Sequence, residues 1–393
     1  MKRTALLSSF LPPASTVGSI ILSRLFDNFT PQECCYITQQ SINRPTNNTL
    51  PVLNGKYIYY YPEKKIKLIR YLSTLINWLN LLRELQSRRK QIRKILVREK
   101  VKNLIICSGD VLNLPAGWLA ARKLGIKIYP YLFDDYVNQW KASLRYRYWF
   151  ARFFGQIFLK RVEKFIVPNE FMAREYYQRY HVSSVIIYNC TPIPKLKDLD
   201  QTSKKFFDQS YFNIVFTGTI SYAQYDAFEN LFKAVNQSRL KNIKVHIYSG
   251  QSRRDLKPLR PLPDYFELHQ SLSNREIFPL QRQADLLFLP LAFKSPFPKV
   301  IKTSSPGKMG EYLAVGRPIL VHAPADSFVS SYFKKNHCGV VVDQKDPQLL
   351  KKAILQLISD AKLRDKISQN ARRCAEEDFD VKKVKVKFKK IFE

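Results

Sequence analysis

The chain has 393 residues, enough for two buried cores at a typical domain size of roughly 150 residues. Its 65 Lys and Arg against 32 Asp and Glu leave a formal charge of +33, yet 45% hydrophobic and 13% aromatic residues exclude a disordered polycation. The six cysteines (Cys34, Cys35, Cys107, Cys190, Cys338, Cys374) form no C-x-x-C pair and have no histidine at metal spacing. This argues against a zinc ribbon or redox motif and for a reducing, cytoplasmic setting.

No apolar run approaches the roughly 18 to 20 residues a membrane-spanning helix needs. The start Met1-Lys2-Arg3, with Ala5-Leu6-Leu7 behind it, imitates a signal peptide, but Ser8-Ser9 and Pro12-Pro13 break the apolar core early. Leu11 to Gly18, followed by apolar residues 19–29, reads as strand, loop and helix. Backbone N–H groups around Thr16 and Gly18 would suit an oxyanion, and a plain turn is the competing reading.

Strand-length apolar runs then alternate with helical patterns, at residues 103–107, 126–133, 165–168, 185–188, 213–216, 244–248, 285–289, 318–322 and 339–342. Helix-sized segments lie between them, at 116–124, 171–180, 227–237, 274–284 and 347–360. Such alternation makes parallel sheets covered by helices, so the fold class is α/β. Asp134 and Asp135 directly follow the run 126–133, where ligands of open α/β sheets collect; either could be a functional carboxylate or a loop cap. Basic residues crowd residues 64–102 and 141–164, and in the latter they interleave with aromatics (Arg145-Tyr146-Arg147-Tyr148-Trp149-Phe150). That pattern suits an interface with one wet and one apolar side, such as an anionic membrane. Prolines and mixed charges across residues 192–210 mark an interdomain linker.

Residues 303–321 read Thr-Ser-Ser-Pro-Gly-Lys-Met-Gly-Glu-Tyr-Leu-Ala-Val-Gly-Arg-Pro-Ile-Leu-Val. Ser305 can cap a helix, Pro306 fits its first position, Gly316 supplies a left-handed stop and Pro318 opens the next strand. A helix beginning at Ser304 to Pro306 directs free N–H groups at an anion, and Lys308 adds a full charge in the first turn. Glu311 shares the face of Lys308, so diphosphate at Lys308 and a hydroxylated group at Glu311 form one reading; an exposed ion pair is the other. The tail, residues 379–393, places Val381, Val384, Phe388, Ile391 and Phe392 on one helical face and lysines opposite, although Val384-Val386-Phe388 also alternates.

At residues 306–318 the sequence resembles the donor-site signature of GT-B-fold glycosyltransferases, in particular family 4 (glycosyl transferases group 1) and its relatives. The resemblance continues along the chain: Asn189 before Thr191-Pro192, the loop Phe216-Thr217-Gly218-Thr219-Ile220, His246-Ile247-Tyr248-Ser249-Gly250, and Ala284 to Pro290. It implies two Rossmann-like doubly wound domains facing across a cleft. These are residues 1–193 for the acceptor, a linker at 194–210, residues 211–378 for the donor, and an amphipathic helix at 379–393 crossing back to the first domain. It further implies a retaining transferase that takes a UDP- or GDP-linked sugar as substrate and uses no resident cofactor or metal, with a saccharide or lipid-linked acceptor in cell-surface polysaccharide or glycolipid biosynthesis. On this reading Lys308, Glu311, Gly218, Thr219, Ser305, Thr303 and Gly307 hold the donor, Gly18 and Thr16 form a phosphate or acceptor loop, and Asp134 or Asp135 is catalytic. Two departures stand out. Thr303 occupies the position of the family's first glutamate, and no cation follows Gly218, which leaves Lys308 as the main diphosphate cation. The basic charge alone would also suit a nucleic-acid-binding protein, but no known reading motif is present, so no nucleic acid is expected. A GT-B sugar-nucleotide epimerase shares the implied fold. The expected location is the cytoplasm, peripheral on the inner face of the membrane.

Overall fold

The computed structural model describes residues 3–12, 16–39, 52–64, 66, 73–141 and 145–393. Met1, Lys2, Pro13, Ala14, Ser15, Lys65, Lys67 and Arg70 lie outside them. The chain divides into two compact units, Met1–Tyr188 with Val384–Glu393, and Asn189–Lys383.

The first unit runs β1 (Thr4–Leu7), α1 (Val17–Phe26), β2 (Cys34–Gln39), β3 (Lys56–Tyr60), α2 (Ser73–Arg98), β4 (Asn103–Cys107), α3 (Asn113–Ala121), β5 (Lys127–Tyr131), α4 (Arg145–Phe158), β6 (Phe165–Val167), α5 (Glu170–Tyr180) and β7 (Ser184–Ile186). Its strands pair in parallel in the order β3-β2-β1-β4-β5-β6-β7. Central strands are buried along their whole length, as β1 and β4 are, because helices cover both faces. The first strand ends at Leu7, earlier than a strand at Leu11 would require. The helix begins at Val17 because Thr16 caps it, its hydroxyl oxygen accepting from the Ser19 amide at 3.1 Å.

The second unit runs α6 (Leu196–Asp200), β8 (Phe212–Thr217), α7 (Tyr225–Ser238), β9 (Ile243–Tyr248), β10 (Phe266–His269), α8 (Asn274–Gln283), β11 (Leu286–Pro290), α9 (Pro298–Lys302), α10 (Gly307–Ala314), β12 (Ile319–His322), α11 (Phe328–Asn336), β13 (Val340–Val342), α12 (Pro347–Ser359) and α13 (Ala361–Cys374). Its parallel order is β10-β9-β8-β11-β12-β13. Both units are therefore Rossmann-like, with strand order reversing between β1 and β4 in one and between β8 and β11 in the other. Crevices at the carboxyl ends of such strands are where open α/β sheets bind ligands.

The last helix, α14 (Val381–Lys389), settles the ambiguous tail pattern. Val384 and Phe388 are buried while Val386 is 58% exposed, which is a helical rather than an alternating arrangement. Within the first unit, Phe388 packs edge-on against Phe26 at 5.3 Å, and Lys389 pairs with Glu33 at 3.2 Å. The apolar face of this basic helix is covered by protein and not left for lipid.

Candidate active site

In the second unit, β8 delivers Thr217 and Gly218 to the carboxyl edge at the point where strand order reverses. Gly218 has φ +113°, a conformation that L side chains rarely adopt. A Cβ there would lie 3.2 Å from the Lys308 ammonium nitrogen. The loop after β8 and the first turn of α10 therefore meet, bringing Gly218 and Lys308 together.

Lys308 is half-buried, and its Nζ lies 3.7 Å from the centroid of the Phe216 ring. Desolvation pushes its pKa down to about 7, opposed in part by the field of Glu311. Among the described residues the ammonium forms no ion pair, so an aromatic face and a nearby carboxylate are its main electrostatic support. A cation held in this way is most stable with an anion beside it.

Helix α10 begins at Gly307, one residue later than a Pro306 start implies. Pro306 is the N-cap and offers no capping side chain, and the Ser305 hydroxyl is buried without a hydrogen-bond partner among the described residues. The Ser305 carbonyl instead accepts from Asn189 Nδ2 at 2.6 Å, which anchors the loop before the helix. Gly316, with φ +60°, ends the motif in the left-handed conformation expected of it. Thr303 is 2% exposed, and its hydroxyl donates to the Lys299 carbonyl at 3.1 Å, a bond within its own helical turn. Glu311 is half-buried on α10, and Thr219 is exposed beside Gly218.

Three supporting residues were invisible as such in the sequence. The Tyr312 hydroxyl accepts from the Thr217 amide at 2.9 Å, tying α10 to the end of β8. Gln251 brackets Ile220, accepting from its amide at 2.7 Å and donating to its carbonyl at 3.0 Å. Asp226 accepts from the amides of Phe293 (3.1 Å) and Lys294 (2.8 Å), fixing the loop after β11. Tyr312 stood inside the motif, but nothing local showed what its hydroxyl would meet.

In the first unit, the Phe10 ring lies between two glycines: a Cβ on Gly18 would come within 2.5 Å of it, and one on Gly109 within 1.9 Å. A side chain at Gly18 would meet the Phe10 ring, so packing favours glycine there. Thr16 is a helix cap. Phe10 meets Phe133 edge-on at 5.3 Å, so the loops after β1, β4 and β5 share one end of the sheet.

Asp134 and Asp135 have opposite environments. Asp135 is 1% exposed; its Oδ1 accepts from the amides of Val137 (3.1 Å) and Asn138 (2.9 Å), and its Oδ2 pairs with Arg179. Those bonds make it the anchor of the turn after β5 and correct its candidacy as a catalytic group. Asp134 is accessible to water yet flanked by protein, and desolvation followed by the Asp135 charge pushes its pKa up to about 6.

Beside these loops the first unit holds a cavity of about 860 Å³, lined by Gln39, Glu84, Arg88, Asp110, Trp140 and Arg147 among others. Its floor is Arg88, 5% exposed, which donates to Glu84 (2.6 Å), Asp110 (2.7 Å) and Asn113 (3.0 Å). Such a bonded, polar floor under an aromatic rim suits a hydroxylated ligand.

Residues 211–360 match the family described as Glycosyl transferases group 1. The matched stretch lies within the second unit. No curated protein matches the sequence. Sucrose-phosphate synthase from Thermosynechococcus elongatus is similar in structure over 100% of this chain and 98% of its own, with TM-score 0.71 and 13% identity. A glycosyltransferase from Rickettsia africae covers 99% of this chain and 97% of its own at TM-score 0.68 and 14% identity. Anabaena HepE, solved in complex with UDP and glucose, covers 100% and 99% at TM-score 0.66 and 12% identity. The fold is thus that of GT-B glycosyltransferases, and the residues matched by the group 1 family include Gly218, Thr303, Ser305, Gly307, Lys308 and Glu311.

Proposed function

We propose that this protein is a nucleotide-sugar-dependent glycosyltransferase whose donor diphosphate binds between the Gly218 loop and the start of α10. The observation that carries the reading is the approach of Lys308 to Gly218 at the reversal point of the second unit's sheet, with the ammonium lacking an ion-pair partner among the described residues. Ser305, Gly307 and Thr219 border the diphosphate, and Glu311 accepts hydroxyls of ribose or sugar. Neutralisation of the leaving diphosphate by Lys308 and the N-terminal amides of α10 supplies what a bound cation would otherwise supply. The structural relatives bound to UDP support a uridine nucleotide.

The cavity above Arg88 takes a saccharide acceptor, with Trp140 as a stacking surface, and Asp134, when ionised, orients or deprotonates the acceptor hydroxyl. Contact with an anionic membrane is supported by the apolar side chains left outside on α2 and α4. Leu75, Leu79, Trp149 and Phe153 are 43 to 63% exposed, and the two helices meet through Trp78 and Phe150 at 6.0 Å. No helix among the described residues is long and apolar enough to cross a membrane.

A thermal-shift screen of UDP, GDP and their sugars tests the assignment, because a ligand of the folded state raises Tm. A uridine nucleotide should raise Tm in the wild type and fail to do so in Lys308→Ala. No stabilisation by any nucleotide would refute the donor reading.

A further inference from the structure

On the edge of the second unit's sheet, β9 and β10 pair in register with His246 opposite Glu267. Strand alternation places His269 on the same face as Glu267, so all three side chains project together. His246 Nδ1 lies 3.1 Å from His269 Nε2 and 3.3 Å from Glu267 Oε2, and the last two atoms are 3.5 Å apart. Zinc bound to nitrogen or oxygen at about 2.0–2.1 Å in a tetrahedron separates its ligands by about 3.3–3.4 Å. The three atoms already form one face of such a tetrahedron.

The surroundings orient these atoms. Asn213 Nδ2 donates to the Tyr211 carbonyl (2.8 Å), the Asp208 carbonyl (3.1 Å) and Asp285 Oδ2 (3.2 Å), so its Oδ1 faces His246 Nε2 at 3.0 Å. His246 therefore carries its proton on Nε2 and presents a bare Nδ1 to the cluster, as metal-ligating histidines held by a carbonyl do. Lys244 takes Glu267 Oε1 at 2.6 Å, leaving Oε2 for the cluster. Rings of Phe207 and Tyr248 pack on His246 and His269 at 4.8 and 4.5 Å. The side chains of His246, Glu267 and His269 are 4%, 33% and 32% exposed, which leaves an entry path and a fourth position open to water.

We propose that His246, Glu267 and His269 bind one divalent transition-metal ion of the zinc class, which staples the edge strand β10 to β9. His269 joins through Nε2 as the tautomer protonated on Nδ1, so no net proton is released.

The test uses untagged full-length protein stripped with a chelator and titrated with Co²⁺ and then Zn²⁺. One equivalent of Co²⁺ should give the intense visible bands of a tetrahedral site, and Zn²⁺ should bleach them and raise Tm. His269→Ala and Glu267→Gln should each weaken Zn²⁺ binding at least 100-fold while keeping the metal-free Tm within a few degrees of wild type. His337→Ala, at an exposed histidine elsewhere, should bind like wild type. Absence of stoichiometric uptake, a weak octahedral spectrum, or uptake unchanged in both cluster variants would overturn the proposal.

Discussion

Lys308 shows how a single side chain can cost stability and supply binding. Its folded pKa lies near 7, below the ordinary 10.5, so between those values the unfolded chain binds more protons than the folded one. Stability is therefore undiminished by this group above about pH 10.5 and declines as pH falls toward 7. Lys308→Met should raise Tm by a few degrees at neutral pH, read by calorimetry, and weaken UDP-glucose binding about 100-fold, or roughly 2.7 kcal/mol. Diphosphate favours the charged ammonium, so wild-type affinity for UDP-glucose should be greatest below about pH 7 and fall as pH rises past it. The two adjacent aspartates should separate in the same manner. Asp134→Asn should remove an acidic limb near pH 6 from the kcat/KM profile, because the ionised carboxylate is the active form and its pKa is raised. Asp135→Asn should instead cost roughly 3 kcal/mol in denaturant unfolding, because Arg179 loses its buried partner. The sequence placed both acids at a strand end. It could not separate them, since Arg179 lies 44 residues away and reaches Asp135 only through the packing of α5.

At the scale of elements, the strands that read clearly were those with unbroken aliphatic runs, such as β4 and β11. β2, β3 and β10 were missed: their mixed Cys, Tyr, Lys, Glu and His content follows no apolar template, and β3 and β10 are sheet edges with only one strand neighbour. The donor motif was legible to within a residue because its punctuation is local. Its link to β8 was not, and Tyr312→Phe tests that link. Loss of the bond to the Thr217 amide should lower stability by about 1 kcal/mol and weaken nucleotide binding, measured by unfolding and calorimetry. The packing of Phe10 makes a second element-scale prediction. Gly109→Ala should be clearly destabilising, and Phe10→Leu in the same chain should recover part of the loss, because the added methyl meets the ring and not the backbone.

For the whole molecule, part of the excess of positive charge lies on α2 and α4 and part on a tail whose apolar side is already buried in the first unit. Membrane association should therefore depend on α4. Trp149→Ser with Phe153→Ser should abolish cosedimentation with phosphatidylglycerol-containing vesicles while leaving the UDP-induced Tm rise intact. The sequence by itself determined two doubly wound α/β units and the loop, helix and strand of the donor motif, because hydrophobic runs, caps and glycine stops act over a few residues. Only the tertiary structure decided that Phe10 fills the space left by Gly18 and Gly109, that Asp135 belongs to Arg179, and that His246 meets Glu267 and His269. Those contacts depend on strand order and register, which bring distant residues onto one face and which no local pattern encodes.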